Sequence, residues 1–153
     1  MKEIENKIRS YNVGASDYSC HRFQPWDFWL QFALNPFDAD IIKRLLRIKS
    51  TDSRELDYKK IKHICLERIR QLEAAADTWS NPKPNDYKEM LSDYYLLTEN
   101  DKKIINYILV PSSERIEDYK SVIKIVDSIL EVSKQLEFDF GEKENDWNFR
   151  LYY

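Results

Sequence analysis

Glycine occurs only twice, as Gly14 and Gly141, in 153 residues. Phosphate loops of the Walker or Rossmann kind need several residues without Cβ packed against the phosphates, so both are excluded. The two cysteines, Cys20 and Cys65, are too few for a disulfide scaffold and too isolated for a zinc site. That usage fits a reducing cytoplasm. No run of about 18 apolar residues occurs, and the opening MKEIENKIRS has no apolar core of signal-peptide length. Membrane spanning and secretion are therefore not expected. Strict alternation of apolar and polar residues is also scarce, which argues against a sheet.

What is present is a chain with 42% hydrophobic and 33% charged residues, enough to close one core. Aromatic residues reach 14%, which leaves rings over for a pocket or an interface. The pattern predicts an all-α fold: a compact multi-helix domain with a C-terminal helical extension and an aromatic-acidic tail. KEIENKIRSY reads as a short first helix. QPWDFWLQFAL begins a second at Pro25 and is expected to bury some of Trp26, Trp29, Leu30 and Ala33. In NPFDADIIKRLLRIK, Asn35 is a good N-cap, Pro36 suits the first turn, and Asp38 favours the positive end of the dipole. Asp52 with Glu55 opens the longest predicted helix, with Ile61, Cys65, Ile69, Leu72 and Ala76 on one face.

The stretch TWSNPKPND, residues 78–86, reads as a linker or extended crossover. Beyond it, Asp86 with Glu89 predicts a helix over YKEMLSDYYLL, and Thr98 with Asp101 predicts another over KKIINYILV. A last helix follows Pro111, carried by Ile116, Tyr119, Ile123, Val126, Ile129 or Leu130, and Val132. The tail EFDFGEKENDWNFRLYY, residues 137–153, shows no helical period. No internal repeat is visible in the letters, although the two halves can pack as separate layers. Exposed aromatics such as Tyr94, Tyr95, Trp147, Tyr152 and Tyr153 suit a homo-oligomeric interface.

Charge is spread unevenly. Residues 41–70 hold ten lysines and arginines against four acids, a surplus of six in a chain whose net charge is −3. Winding Ile41 to Lys49 as a helix puts Ile41, Ile42, Leu45, Leu46 and Ile48 on one arc and Lys43, Arg44 and Arg47 on the other. Such a flank is either simply solvated or an attractor of small anions. Arg47 leads as a phosphate ligand because its planar fork offers two parallel hydrogen bonds, and Lys43, one turn earlier, adds a point charge. Nucleic acid is not expected, given a sequence pI near 5.5 and no reader motif.

DYSCHRFQPWDFW, ADIIKRLLRIKS and LDYKKIKHICLERI, taken in order, resemble the small domain, common in bacteriophage genomes, that is named for a phage nucleotide kinase. That pattern carries Tyr or His-Tyr near its start, then Gln-Pro-Trp-Asp, an Ile-Lys-Tyr-x-x-Arg helix and an Asp-Leu-x-Lys-Ala helix. Tyr18 and His21 match the first element, Gln24, Trp26 and Asp27 the second, and Ile42, Lys43 and Arg47 the third. Arg44 stands where Tyr is usual, and the reordered ELDYKK still supplies Asp57 and Lys60. The resemblance covers residues 17–72 and implies a helical core over 17–77, phage origin and nucleotide binding. Residues 86–136 form the helical extension outside it.

A nucleotide site needs a cationic clamp, a flat surface for the base and polar groups that orient it. Lys43 and Arg47 supply the first, Trp26, Trp29 or Tyr18 the second, and Gln24, Asp27 or His21 the third. Binding of this kind requires no cofactor. A kinase would need Mg and ATP, with Asp52, Glu55 or Asp57 as carboxylates, yet Asp52 and Glu55 already serve as a capping box. No catalytic base and no metal site stand out, and the paired Glu-x-x-Glu motifs of helical pyrophosphohydrolases are absent. Three readings stay open. The first is a phage-type protein that captures a nucleotide in the host cytoplasm, sequestering an immune signal as an anti-defence device. The second is a nucleoside monophosphate kinase, and the third a non-catalytic helical protein-interaction module.

Overall fold

The computed structural model describes residues 21–47, 54–74 and 79–139. It is all-α, with α1 Pro25–Gln31, α2 Pro36–Leu46, α3 Arg54–Glu73, a 3-10 turn Glu89–Leu91, α4 Glu99–Leu109 and α5 Arg115–Asp139. The predicted first helix, Tyr18, Ile48, Asp52, Ala76 and the tail beyond Asp139 lie outside the described residues. Among the described residues no helix is long and apolar enough to cross a membrane.

Helix starts follow local chemistry. Asn35 caps α2 by accepting from the Asp38 amide, with Pro36 at the first helical position. Thr98 and Asp101 form a reciprocal capping box on α4. Gln24 and Asp27 do the same for α1. That helix ends in a Schellman motif: the Leu34 amide donates to Trp29 O and the Ala33 amide to Leu30 O. Ala33 occupies the position usually held by glycine, at φ 48°.

Three expectations are corrected. In α1 the buried side chains are Pro25 and Phe28, joined by the C-cap Phe32, while Trp26 is 52% and Leu30 77% exposed, and Ala33 is exposed too. Trp29 is half-buried and donates its indole N–H to Ala39 O at 3.0 Å, which fastens α1 to α2. The predicted helix after Asp86 is instead a series of tight turns. Leu91, Ser92, Tyr94 and Leu97 amides each donate three residues back, and the Asp86 carboxylate bonds the Lys88 amide rather than a capping-box position. Contacts from the first half hold this shape: Tyr94 is buried, bonds Phe23 O at 2.6 Å and stacks on His21, and Asp93 accepts from the Arg22 amide. In α5, Val132 is 60% exposed, and the helix runs three residues into the predicted tail.

One core joins all the helices. α3 and α5 make the most extensive contact. They run antiparallel, since Arg68 reaches Tyr119 while Lys62 reaches Asp127. Residues 79–86 cross between the halves, with the Lys83 amide on Phe32 O.

The structure also reveals the internal repeat that the letters hide. Residues 54–58 read RELDY and residues 115–119 read RIEDY, each at the start of a long helix. Before them stand Asn35 and Thr98 as caps, then Asp38 and Asp101 at the third helical position. The buried quartet Ile41, Ile42, Leu45 and Leu46 answers Ile104, Ile105, Ile108 and Leu109. Likewise Ile61 and Cys65 answer Val122 and Val126, and Phe28 and Phe32 answer Met90 and Tyr94. The loop between the paired helices is two residues shorter in the second half, which shifts the spacing and obscures the match.

Polar contacts repeat as well, and they are exchanged between halves. Arg54 donates to Arg44 O and Leu45 O, satisfying the last carbonyls of α2, and pairs with Asp101 across the molecule at 3.2 Å. Arg115 donates to Tyr107 O and Ile108 O at the end of α4 and pairs with Asp38 at 3.0 Å. One turn on, Tyr58 donates to Asp101 and Tyr119 to Asp38, both at 2.6 Å. Asp38 further accepts from Asn35, and Tyr119 OH accepts from the buried Arg68. Burial opposes the Arg115 charge, but attraction to Asp38 and the hydrogen bond with it hold the guanidinium pKa above its ordinary value.

Replacing Ala33 by Gly removes the left-handed penalty on a Cβ-bearing residue and should stabilise the chain by about 0.5–1 kcal/mol, read as a higher urea midpoint. Asp38→Ala takes from the buried Arg115 the nearer of its two carboxylates and from the Tyr119 hydroxyl its acceptor, and should cost about 3–5 kcal/mol by the same measurement.

Candidate functional site

Subtracting what the repeat explains leaves a cluster of charge at the junction of α2 and α3. The second half has Asn106, Tyr107 and Val110 where the first has Lys43, Arg44 and Arg47, and Ser121 where it has Lys60. The fold forms without those cations in the second half, although in the first Arg44 and Arg47 also serve as the charge partners of the buried Asp57.

Arg44 and Arg47 converge on a single atom. Arg47 Nη2 donates to Asp57 Oδ1 at 3.0 Å, and Arg44 Nη1 lies 3.5 Å from the same oxygen. The Asp57 side chain is only 6% exposed, against 30% for Arg47 and 18% for Arg44. Arg44 Nε lies 3.2 Å from Asp40 without hydrogen-bond alignment. Arg44 Nε, Arg47 Nε and Arg54 Nη2 are buried donors with no hydrogen-bond acceptor among the described residues. Lys43, one turn before Arg47, is exposed and makes no ion pair with a described residue. Lys60, one turn after Asp57, is likewise exposed.

Lys60 also borders an open groove of about 570 Å³ along α3 and the last third of α5. Leu56, His63, Leu66 and Leu130 line it, with Lys59, Lys62 and Lys134 and the acids Asp127 and Glu131 around them. Lys59 pairs with Glu55 and Lys62 with Asp127. Leu56 and Leu66 are about half exposed there. This volume is within the range of small-molecule pockets, roughly 300–1,000 Å³.

The remaining predicted site residues sit elsewhere. Gln24 and Asp27 are engaged in the α1 capping box, Trp26 is exposed on α1, and His21 stacks on Tyr94 with ring centroids 4.0 Å apart. Arg44, Arg47, Lys43 and Lys60 are brought to the α2–α3 junction, and the α1 residues are not part of that cluster. Asp57 was legible as part of the family resemblance and as a candidate Mg carboxylate, while its pairing with Arg44 and Arg47 was not. Among the described residues no group of three or more His, Cys, Asp or Glu is placed to hold a metal ion. Cys65 is a buried free thiol whose pKa burial pushes up.

Comparison with family models, curated proteins and solved structures finds no match for this chain. The resemblance over residues 17–72 therefore stands on its motifs alone.

Beside the cluster, Tyr58 carries a titration that reports on the fold. Burial, and then its hydrogen bond to Asp101, push the hydroxyl pKa from 10.0 up to about 12. The folded state thus holds this proton more tightly than the unfolded one. Its stabilisation is whole below pH 10 and is lost as the pH rises toward 12. Urea unfolding across that interval should fall more steeply for the native chain than for Tyr58→Phe, and equal slopes would contradict the assignment.

Proposed function

We propose that the protein binds a phosphate-bearing nucleotide and releases it unchanged. The observation that carries this reading is the convergence of Arg44 and Arg47 on Asp57 Oδ1, with the Arg47 side chain 30% exposed beside it. Asp57 holds the two forks in place, as a preorganised receptor requires. An incoming phosphate meets Arg47 from its exposed side, with Lys43 and Lys60 contributing charge from neighbouring turns. Lys60 then leads to the groove, where Leu56 and Leu66 offer an apolar surface to the base and His63 a polar edge. The motif resemblance to phage nucleotide-kinase domains points the same way, and capture of a host immune nucleotide is the role that such binding without turnover fits.

Phosphoryl transfer asks for carboxylates free to hold Mg²⁺. Asp57 and Asp40 are engaged by arginine, and Glu55 by Lys59. The kinase reading has less support for that reason. A protein-interaction role draws on the exposed Trp26, Leu30, Tyr95 and Leu96, which no ligand site uses.

Incubating the chain with a nucleotide panel and analysing it by chromatography separates the three readings. Co-purification of an unchanged nucleotide is the expected result. ATP-dependent diphosphate formation would indicate the kinase, and no retention the interaction module. Arg47→Ala should weaken retention by about 1.5–3 kcal/mol, measured by calorimetry, as loss of a charge-assisted contact implies.

A further inference from the structure

We propose that residues 24–73 and 86–135 are two copies of one helical unit, and that the second is a scaffold that closes the first while carrying no ligand site of its own. The inference has two parts. The first rests on the exchanged contacts alone, and the second rests on the nucleotide reading given above.

Neither unit is self-sufficient. The buried Asp38 finds its arginine and tyrosine on the second unit, and the buried Asp101 finds them on the first. A unit taken alone would leave that carboxylate with only its own cap residue and no cation, and a chain of about 50 residues has little apolar burial to offset the loss. What such a unit requires is another with the same Asp and the same R-x-x-D-Y start. The correspondence extends to atoms. Arg54 reaches the carbonyls of residues 44 and 45, and Arg115 those of residues 107 and 108, which are the matching positions of α2 and α4. Two unrelated helix pairs have no reason to agree at that level.

The units then diverge where the fold permits it. Asp118 occupies the place of Asp57 but is held by Arg115 and by the Ser112 amide, its own unit's groups. Val110 is half exposed where Arg47 stands in the first unit, and Ser121 replaces Lys60. The scaffold unit has kept its lock and dropped its cations. One ligand per chain follows.

Titrating the full chain with ATP should give one bound per chain. Val110→Arg with Ser121→Lys restores two of the four lost cations, at exposed and partly exposed positions, and should raise that to two, and adding Arg47→Ala should return it to one. A grafted chain of unchanged helicity that still binds one, or a native chain that binds two, would overturn the scaffold role. If the native chain binds neither ATP nor any other member of the nucleotide panel, the nucleotide reading and the scaffold role fall together, and the pairing of units is judged separately by amide hydrogen exchange. Asp38→Ala and Asp101→Ala should each lower protection in both units together. Loss confined to the unit that bears the substitution would overturn the pairing.

Discussion

Two buried aspartates, each held by an arginine and a tyrosine from the opposite half, fix the arrangement of every long helix in this protein. Asp38 opens α2, Asp101 opens α4, and their partners open α5 and α3. Taking such charges out of water costs several kcal/mol per ion unless geometry and further hydrogen bonds compensate. Here each arginine compensates twice, pairing with the aspartate and satisfying the last carbonyls of the preceding helix. Six helix termini are thereby tied into two reciprocal knots, the starts of α2 to α5 and the ends of α2 and α4. The apolar quartets of α2 and α4 supply the larger burial, but that burial is non-directional. The knots decide which register the helices adopt.

Fold requirements and ligand chemistry therefore separate along the chain. A residue type found in both halves at matching places is accounted for by packing, capping or the knots. Lys43, Arg44, Arg47 and Lys60 have no counterpart, and they gather at one junction. The surplus of positive charge between residues 41 and 70 thus divides by role. Arg54 and Arg68 are structural, buried or half-buried on Asp101 and Tyr119, Arg44 and Arg47 are half-buried on Asp57, and Lys59, Lys60 and Lys62 border the groove.

Much of the architecture could be read from the letters because its signals are local. The caps at Asn35 and Thr98, the extended crossover and the long helices with their apolar faces all follow from spacing and from the chemistry of the first turn. What escaped was set by contacts distant in sequence. Tryptophan outweighs phenylalanine as a core candidate on size alone, yet α1 turns Phe28 and Phe32 inward because the core lies on that side and Trp29 must reach Ala39 O. The segment from Tyr87 to Leu97 has caps and periodicity enough for a helix, but its links to residues 21–23 fix it as turns. Asp38 read as a dipole partner, and nothing near it in sequence announces Arg115, 77 residues away. Only the recurrence of R-x-x-D-Y carried that information, and the shorter second loop concealed it.

An arginine already paired with a carboxylate can still be an effective anion ligand, and the site we propose relies on this. Asp57 Oδ1 receives both Arg47 and Arg44, so one negative charge is shared between two guanidinium groups. Each group has five donor hydrogens and gives one contact to that oxygen. Separation of unit charges by 4 Å near a protein surface corresponds to about 4 kcal/mol of interaction, so sharing leaves part of that attraction unspent for a second anion. Without Asp57 the two cations would repel and splay into solvent, and an arriving phosphate would have to order both long side chains itself. Ordering costs roughly 0.5–1.5 kcal/mol for each side chain immobilised on binding. The carboxylate removes that cost in advance, which is why its presence between the arginines supports the site rather than filling it.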